Sequence, residues 1–169
     1  MRAQTISPDQ LSRELREGTG PDLSRRRWAI GLSFLGAAVG AVVGAYQTGL
    51  IRRLPDIAPG DIWDAEKVDA SDYAYSRLQT PDAALMIVTY GITAALVSAG
   101  GKERARDNPA LPLAAAGKAI YDFFTCVRLG REEWRDNQAL CSWCQLATLI
   151  SAATVALTLP EAAKAARQM

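Results

Sequence analysis

Cys141 and Cys144 are the residues whose type and spacing point most directly to chemistry. They stand in the stretch Ala139-Leu140-Cys141-Ser142-Trp143-Cys144-Gln145-Leu146. At i and i+3 on the first turn of a helix, two side chains share a face, close enough to form a disulfide with modest strain. A helix start also carries free N–H groups and the positive end of the dipole, and both favour a thiolate. The pair opens an apolar run that continues to Leu159, so it stands at the mouth of a bilayer-length helix. That pattern reads as a redox site; the bland alternative is two small apolar core residues that happen to be cysteines. The chain has no histidine and only one further cysteine, Cys126. No metal is expected: a four-ligand zinc site, histidine-ligated haem and histidine acid–base catalysis all lack their residues.

The elements that must position this pair emerge from the hydropathy pattern. Mean hydropathy is −0.01, an average over long apolar runs and strongly charged connectors. That alternation is the mark of a polytopic membrane protein, whose partner is the lipid bilayer. With Lys+Arg 19 against Asp+Glu 18, no charge excess points to nucleic acid. Four apolar runs, near 29–51, 82–101, 111–129 and 138–159, predict four membrane-spanning helices. In the first, Gly36, Gly40 and Gly44 fall on one stripe where a neighbouring helix can approach closely. Pro81 and Asp82 make a good start for the second. The third carries Lys118 and Asp122 at i,i+4, read either as functional intramembrane charges or as a pair satisfying itself beside an aqueous groove. Before residue 28 the chain is polar, with Ser7 and Pro8 set to start a short surface helix.

The fold class expected is all-α: a polytopic membrane four-helix bundle with an extracytoplasmic loop cap between helices 1 and 2. Residues 1–27 form a cytoplasmic tail, 28–161 the four-helix transmembrane domain, and 162–169 a short cytoplasmic tail. Basic residues set this orientation: Arg25–Arg27, then Lys102, Arg104 and Arg106, then Lys164 and Arg167 fall on one side. The long connector 52–80 and the cysteine pair then lie outside, where disulfide chemistry belongs. Trp63, Val68, Tyr73 and Tyr75 anchor the connector across the mouth of the bundle. Cys141 is expected at the open outer turn, reachable by a partner. Cys144 is expected one turn deeper beside Trp143, where an apolar ring can approach.

Four spans, a long outer loop after the first and Cys-x-x-Cys at the outer end of the fourth resemble the vitamin K epoxide reductase family. The likeness runs from about Trp28 to Glu161. In the loop, Lys67-Val68-Asp69-Ala70-Ser71 with Tyr73, then Pro81, then Tyr90 on the second span, are similar to the family's pattern of Val, Ser, Pro and Tyr following a loop cysteine. The resemblance implies a membrane thiol–disulfide oxidoreductase coupling Cys141–Cys144 to a membrane quinone of menaquinone, ubiquinone or vitamin K type. It implies Cys144 facing the quinone and Cys141 exchanging with a thiol partner, with Ser71, Tyr90 and Trp143 as quinone-binding residues. For Ser71, a helix-capping role is the alternative. A thioredoxin-like extracytoplasmic protein is the partner implied, and a bacterial inner membrane the setting. The family's loop cysteines are missing: where the second belongs, Asp64, Ala65 and Glu66 stand. The alternative function is therefore a non-catalytic scaffold of this family that binds a quinone, lipid or partner membrane protein.

Overall fold

The computed structural model describes residues 7–169. Ser7 caps the first helix, α1 (Pro8–Glu17): its Oγ accepts from the Gln10 N–H at 3.2 Å, and Pro8 fills the first helical position as expected. The rest of the expected tail, residues 1–6, lies outside the described residues. The second helix, α2 (Pro21–Gln47), begins well before residue 29 and takes in the arginine cluster expected to precede it. Each arginine finds a partner there. Arg25 donates to the Asp22 carboxylate at 2.9 Å, Arg27 to the Leu15 and Gly18 carbonyls, and Arg26 turns inward.

The connector folds into two short helices, α3 (Ala65–Asp69) and α4 (Asp72–Tyr75), before α5 (Asp82–Ser98) and a single turn, α6 (Arg104–Asp107). The next helix, α7 (Ala110–Asn137), runs past residue 129 through the segment expected to be a connector. It stops where Gln138 takes a left-handed φ of 51° and its N–H bonds the Trp134 carbonyl at 2.9 Å. The last helix, α8 (Ser142–Ala166), starts after the expected residue 138 and passes through Pro160. Its final turn is held by ion pairs from Arg104 to Glu161 at 2.7 Å and from Lys164 to Asp22 at 2.6 Å.

Among the described residues there is no strand. Helix α2 lies against α5 and α8, and α7 against α8 and α5. Three layers of buried side chains fill the space between them: Ala29, Val97 and Ala115; then Val39, Tyr90, Ala147 and Ile150; then Val43, Leu54, Ala65, Val68 and Cys141. Helices α2, α7 and α8 are long and apolar enough to cross a membrane, whereas α5 is apolar but only 17 residues long. Trp28, Phe34, Phe124 and Leu149 point outward and are 64–67% exposed, an apolar surface suited to lipid.

Two buried arginines close the end of α5. Arg26 donates to five carbonyls, from Val97 to Gly101, at 2.8–3.1 Å. Arg104 donates to the Leu96, Val97 and Ala99 carbonyls and makes a two-pronged pair with Glu161, at 2.9 and 2.7 Å. These groups supply the donors that the last turn of a helix otherwise lacks.

The glycine stripe is a packing face, as expected. A Cβ on Gly36 would sit 2.4 Å from Tyr90 Cζ, and one on Gly40 3.0 Å from Ile87 Cγ1; at Gly31 nothing lies within 4 Å. The Gly36→Ala variant must push aside a rigid buried ring, at a cost of about 1–3 kcal/mol. Thermal unfolding in detergent is expected to show a clearly lowered midpoint for Gly36→Ala and none of that loss for Gly31→Ala.

Candidate functional site

The mouth of α8 is built by capping. Cys141 is the N-cap residue, with extended backbone, and its Sγ accepts from the Cys144 N–H at 3.2 Å. The cysteine thus takes the place of the usual serine or aspartate and satisfies one of the free N–H groups of the first turn. All three cysteines are unbonded thiols.

The connector is fastened directly over this turn. Leu140 N donates to the Ile62 carbonyl at 2.9 Å and Asp64 N to the Leu140 carbonyl at 3.0 Å, a short parallel bridge. The Asp56 carboxylate is the main clasp: Oδ1 accepts from Ser142 N and Oγ at 3.0 and 2.6 Å, and Oδ2 from Ala65 N at 2.8 Å. Trp143 Nε1 reaches the Pro55 carbonyl at 3.0 Å, and Tyr75 and Tyr73 donate to the Gln47 and Leu129 carbonyls at 2.8 and 3.0 Å. Cys141 consequently has no exposed surface and packs with Ala65 and Val68, so the expected open outer turn is closed.

Cys144 is half-buried and faces the other way, into a cavity of about 290 Å³ between α5, α7 and α8. Tyr90, Asp122, Cys126, Glu133 and Ser151 also line it. The Tyr90 hydroxyl donates to the Ala147 carbonyl at 2.7 Å and contacts Ser151 Oγ at 3.1 Å, so the tyrosine is fixed as a wall. Lys118 and Asp122 pair at 2.5 Å, and Thr93 Oγ1 donates to Asp122 at 3.0 Å; this charge pair satisfies itself. Of the expected binding residues, Tyr90 joins Cys144 at the cavity. Trp143 braces the connector instead. Ser71 is at the N-cap position of α4, but its hydroxyl donates back to the Val68 carbonyl at 2.6 Å and borders a separate open cleft.

With a Cys-x-x-Cys helix mouth, a covering connector and a lined cavity in place, comparison with known families is decisive: the model of the Vitamin K epoxide reductase family matches residues 27–159. The chain belongs to the vitamin K epoxide reductase family. It is thereby an integral membrane protein of a redox family, consistent with its three long apolar helices. Comparison with curated proteins and with solved structures returned no match.

Two carboxylates of this family member were not singled out for chemistry in its sequence. Asp69, at the end of α3, is 1% exposed; one of its carboxylate oxygens and both sulfurs of the pair lie within 4.8 Å of one another. Its Oδ1 accepts from Gln47 Nε2 at 3.4 Å, while Oδ2 is buried without a partner. Burial pushes the Asp69 carboxyl up to about 7; the Cys141 thiol draws it partly back, and the charges of Asp82 and Asp56 push it further up. Glu133, equally buried, accepts from Cys141 N and Gln145 Nε2, both at 3.4 Å. Its signal was available: Asp122, Cys126 and Glu133, spaced by four and seven, share one face of α7. Nothing in the spacing around Asp69 marks it, because its neighbours come from distant segments.

Proposed function

We propose that this protein is a membrane thiol–disulfide oxidoreductase in which Cys141–Cys144 exchanges two electrons with a quinone seated in the adjoining cavity. The observation that carries the reading is Cys144 lining, with Tyr90, a cavity between α5, α7 and α8 that Tyr73 and Arg77 of the connector help to close. When the dithiol closes to a disulfide it gives up two electrons and two protons, and a menaquinone-, ubiquinone- or vitamin K-type ring takes up two of each to become the quinol. Cys144 is the quinone-facing thiol and Cys141 the one that exchanges with an extracytoplasmic thioredoxin-like partner. Trp143 and Ser71 act through the connector, bracing it and fixing the turn that carries Asp69. In this reading α5 is the fourth span of the bundle, both termini are cytoplasmic, and residues 52–80 cap the site on the outer face.

The test is turnover in lipid nanodiscs with a short-chain quinone and a reduced thioredoxin-like protein. Quinol formation is expected with matching loss of thiols, and none in Cys141→Ser or Cys144→Ser. Absence of any cysteine-dependent turnover removes the reading. One observation favours a second: Ala65, one of the three residues standing where the family resemblance places a relay cysteine, is buried in the same cluster as Cys141. A non-catalytic scaffold binding a quinone, lipid or partner membrane protein would leave the double serine variant fully active in cells.

A further inference from the structure

We propose that Asp69 is the proton acceptor of the Cys141–Cys144 pair, holding the Cys141 proton for as long as the disulfide is closed. The inference rests on the redox role proposed for the pair. Its basis is geometric: a carboxylate oxygen lies within 4.8 Å of both sulfurs, on a side chain 1% exposed, and Oδ2 has no hydrogen-bond partner. A buried polar atom without a partner is costly, and it persists where function needs it. Gln47 steadies Asp69 through the other oxygen, at 3.4 Å, and is itself fixed by Asp82 at 2.7 Å and by the Ala83 N–H at 3.3 Å.

The titratable groups around Asp69 come from every packed element. They are Tyr46 on α2, Asp82 on α5, Asp56 in the connector, Glu133 on α7, and the two thiols of α8. None is a cation, and the Asp82 charge is already met by Arg77 at 3.9 Å. Beside the long bond from Gln47, a negative Asp69 therefore has only the thiol S–H groups to turn to, and closing the disulfide removes them. Losing those donors raises the proton affinity of Asp69 further above its already elevated value near 7.

The step balances. Cys141 Sγ–H passes its proton to Asp69, the two sulfurs bond, and the electron pair goes to the quinone. The quinone takes one proton from Cys144 and one from water and becomes the quinol. On reduction of the disulfide, the proton held by Asp69 returns to Cys141. Near neutral pH the couple consequently carries one net proton per two electrons instead of two, because Asp69 gains one as the thiols lose two.

The measurement is the midpoint potential of the pair in the full-length protein, equilibrated in thiol redox buffers across the neutral range, with free thiols counted by maleimide mass tagging. No quinone is involved, so the outcome is separable from that of the turnover assay. In the wild type, the slope of potential against pH is expected to halve within a window opening near pH 7, where Asp69 titrates in the dithiol form. In Asp69→Asn the slope is expected to stay at two protons per two electrons until the thiols themselves titrate. An unbroken slope in the wild type, or the same break in Asp69→Asn, overturns the proposal. Infrared difference spectra of the wild type give a second reading that needs no variant. A protonated-carboxyl band is expected to grow on oxidation, and its absence likewise overturns the proposal.

Discussion

Cys144→Ser is expected to abolish quinone-linked thiol oxidation and to leave a partner stranded as a mixed disulfide on Cys141. Without Cys144 no second sulfur can attack that bond and release the partner. Cys141→Ser should strand nothing. The yield of adduct, however, depends on the connector, because Cys141 has no exposed surface beneath Ala65 and Val68. A partner reaches it only when residues 54–66 lift away from α8. The Asp56 carboxylate resists this with two bonds across to the start of α8, accepted from Ser142 N and Ser142 Oγ. Hydrogen bonds to a charged group contribute about 1.5–3 kcal/mol each, so losing both raises the open fraction about a hundredfold or more. Asp56→Ala combined with Cys144→Ser is expected to show about that increase in adduct on non-reducing gels of cells. Equal adduct with and without Asp56 would show that the connector is no barrier. Adduct on Cys144 in the Cys141→Ser variant would reverse the two roles.

The largest effect on stability is expected at the opposite end of the molecule. Arg104 and Glu161 are 2% and 5% exposed and meet through two parallel bonds, while a third Arg104 nitrogen serves three carbonyls of α5. Glu161→Ala leaves a guanidinium buried without its counter-charge, a change that costs about 3–5 kcal/mol. Replacing both partners at once, as Arg104→Met with Glu161→Leu, removes the stranded charge and should recover part of the loss, though the Leu96 carbonyl loses its side-chain donor and Arg26 alone serves Val97 and Ala99. Thermal unfolding in detergent checks both. A double variant no better than Glu161→Ala would show that carbonyl capping by Arg104, and not the ion pair, carries the effect.

How legible these features were differs from residue to residue. The apolar runs, the Ser7 cap, the helix start at Pro81 and Asp82 and the glycine stripe are local or periodic, and each reappears in the structure close to its place in the sequence. Helix ends are less legible, because a run of charge reads as a boundary. Arg25–Arg27 and residues 128–137 are charged, yet both continue helices, since their side chains find partners along or across the helix surface. Cys141 and Cys144 announced themselves by type and spacing. Asp69 could not, because its character comes from Gln47, Asp82 and the two sulfurs, and that meeting is created only when the connector docks on α8. Ala65 is the same case in reverse: its significance lies in what it covers.

The arginine seal on α5 bears on the lipid around it. A 17-residue helix rises about 25 Å, short of the roughly 30 Å hydrocarbon layer. Its terminal carbonyls would fall within oil, where unmatched backbone is very costly. In the proposed four-span reading, Arg26 and Arg104, bonded to the carbonyls of residues 96–101, act as a polar extension that completes the span with side chains in place of a further helical turn. On that reading the molecule carries its own answer to hydrophobic mismatch at one end of one helix. On the same reading, thickening the bilayer should strain this protein first at the end of α5.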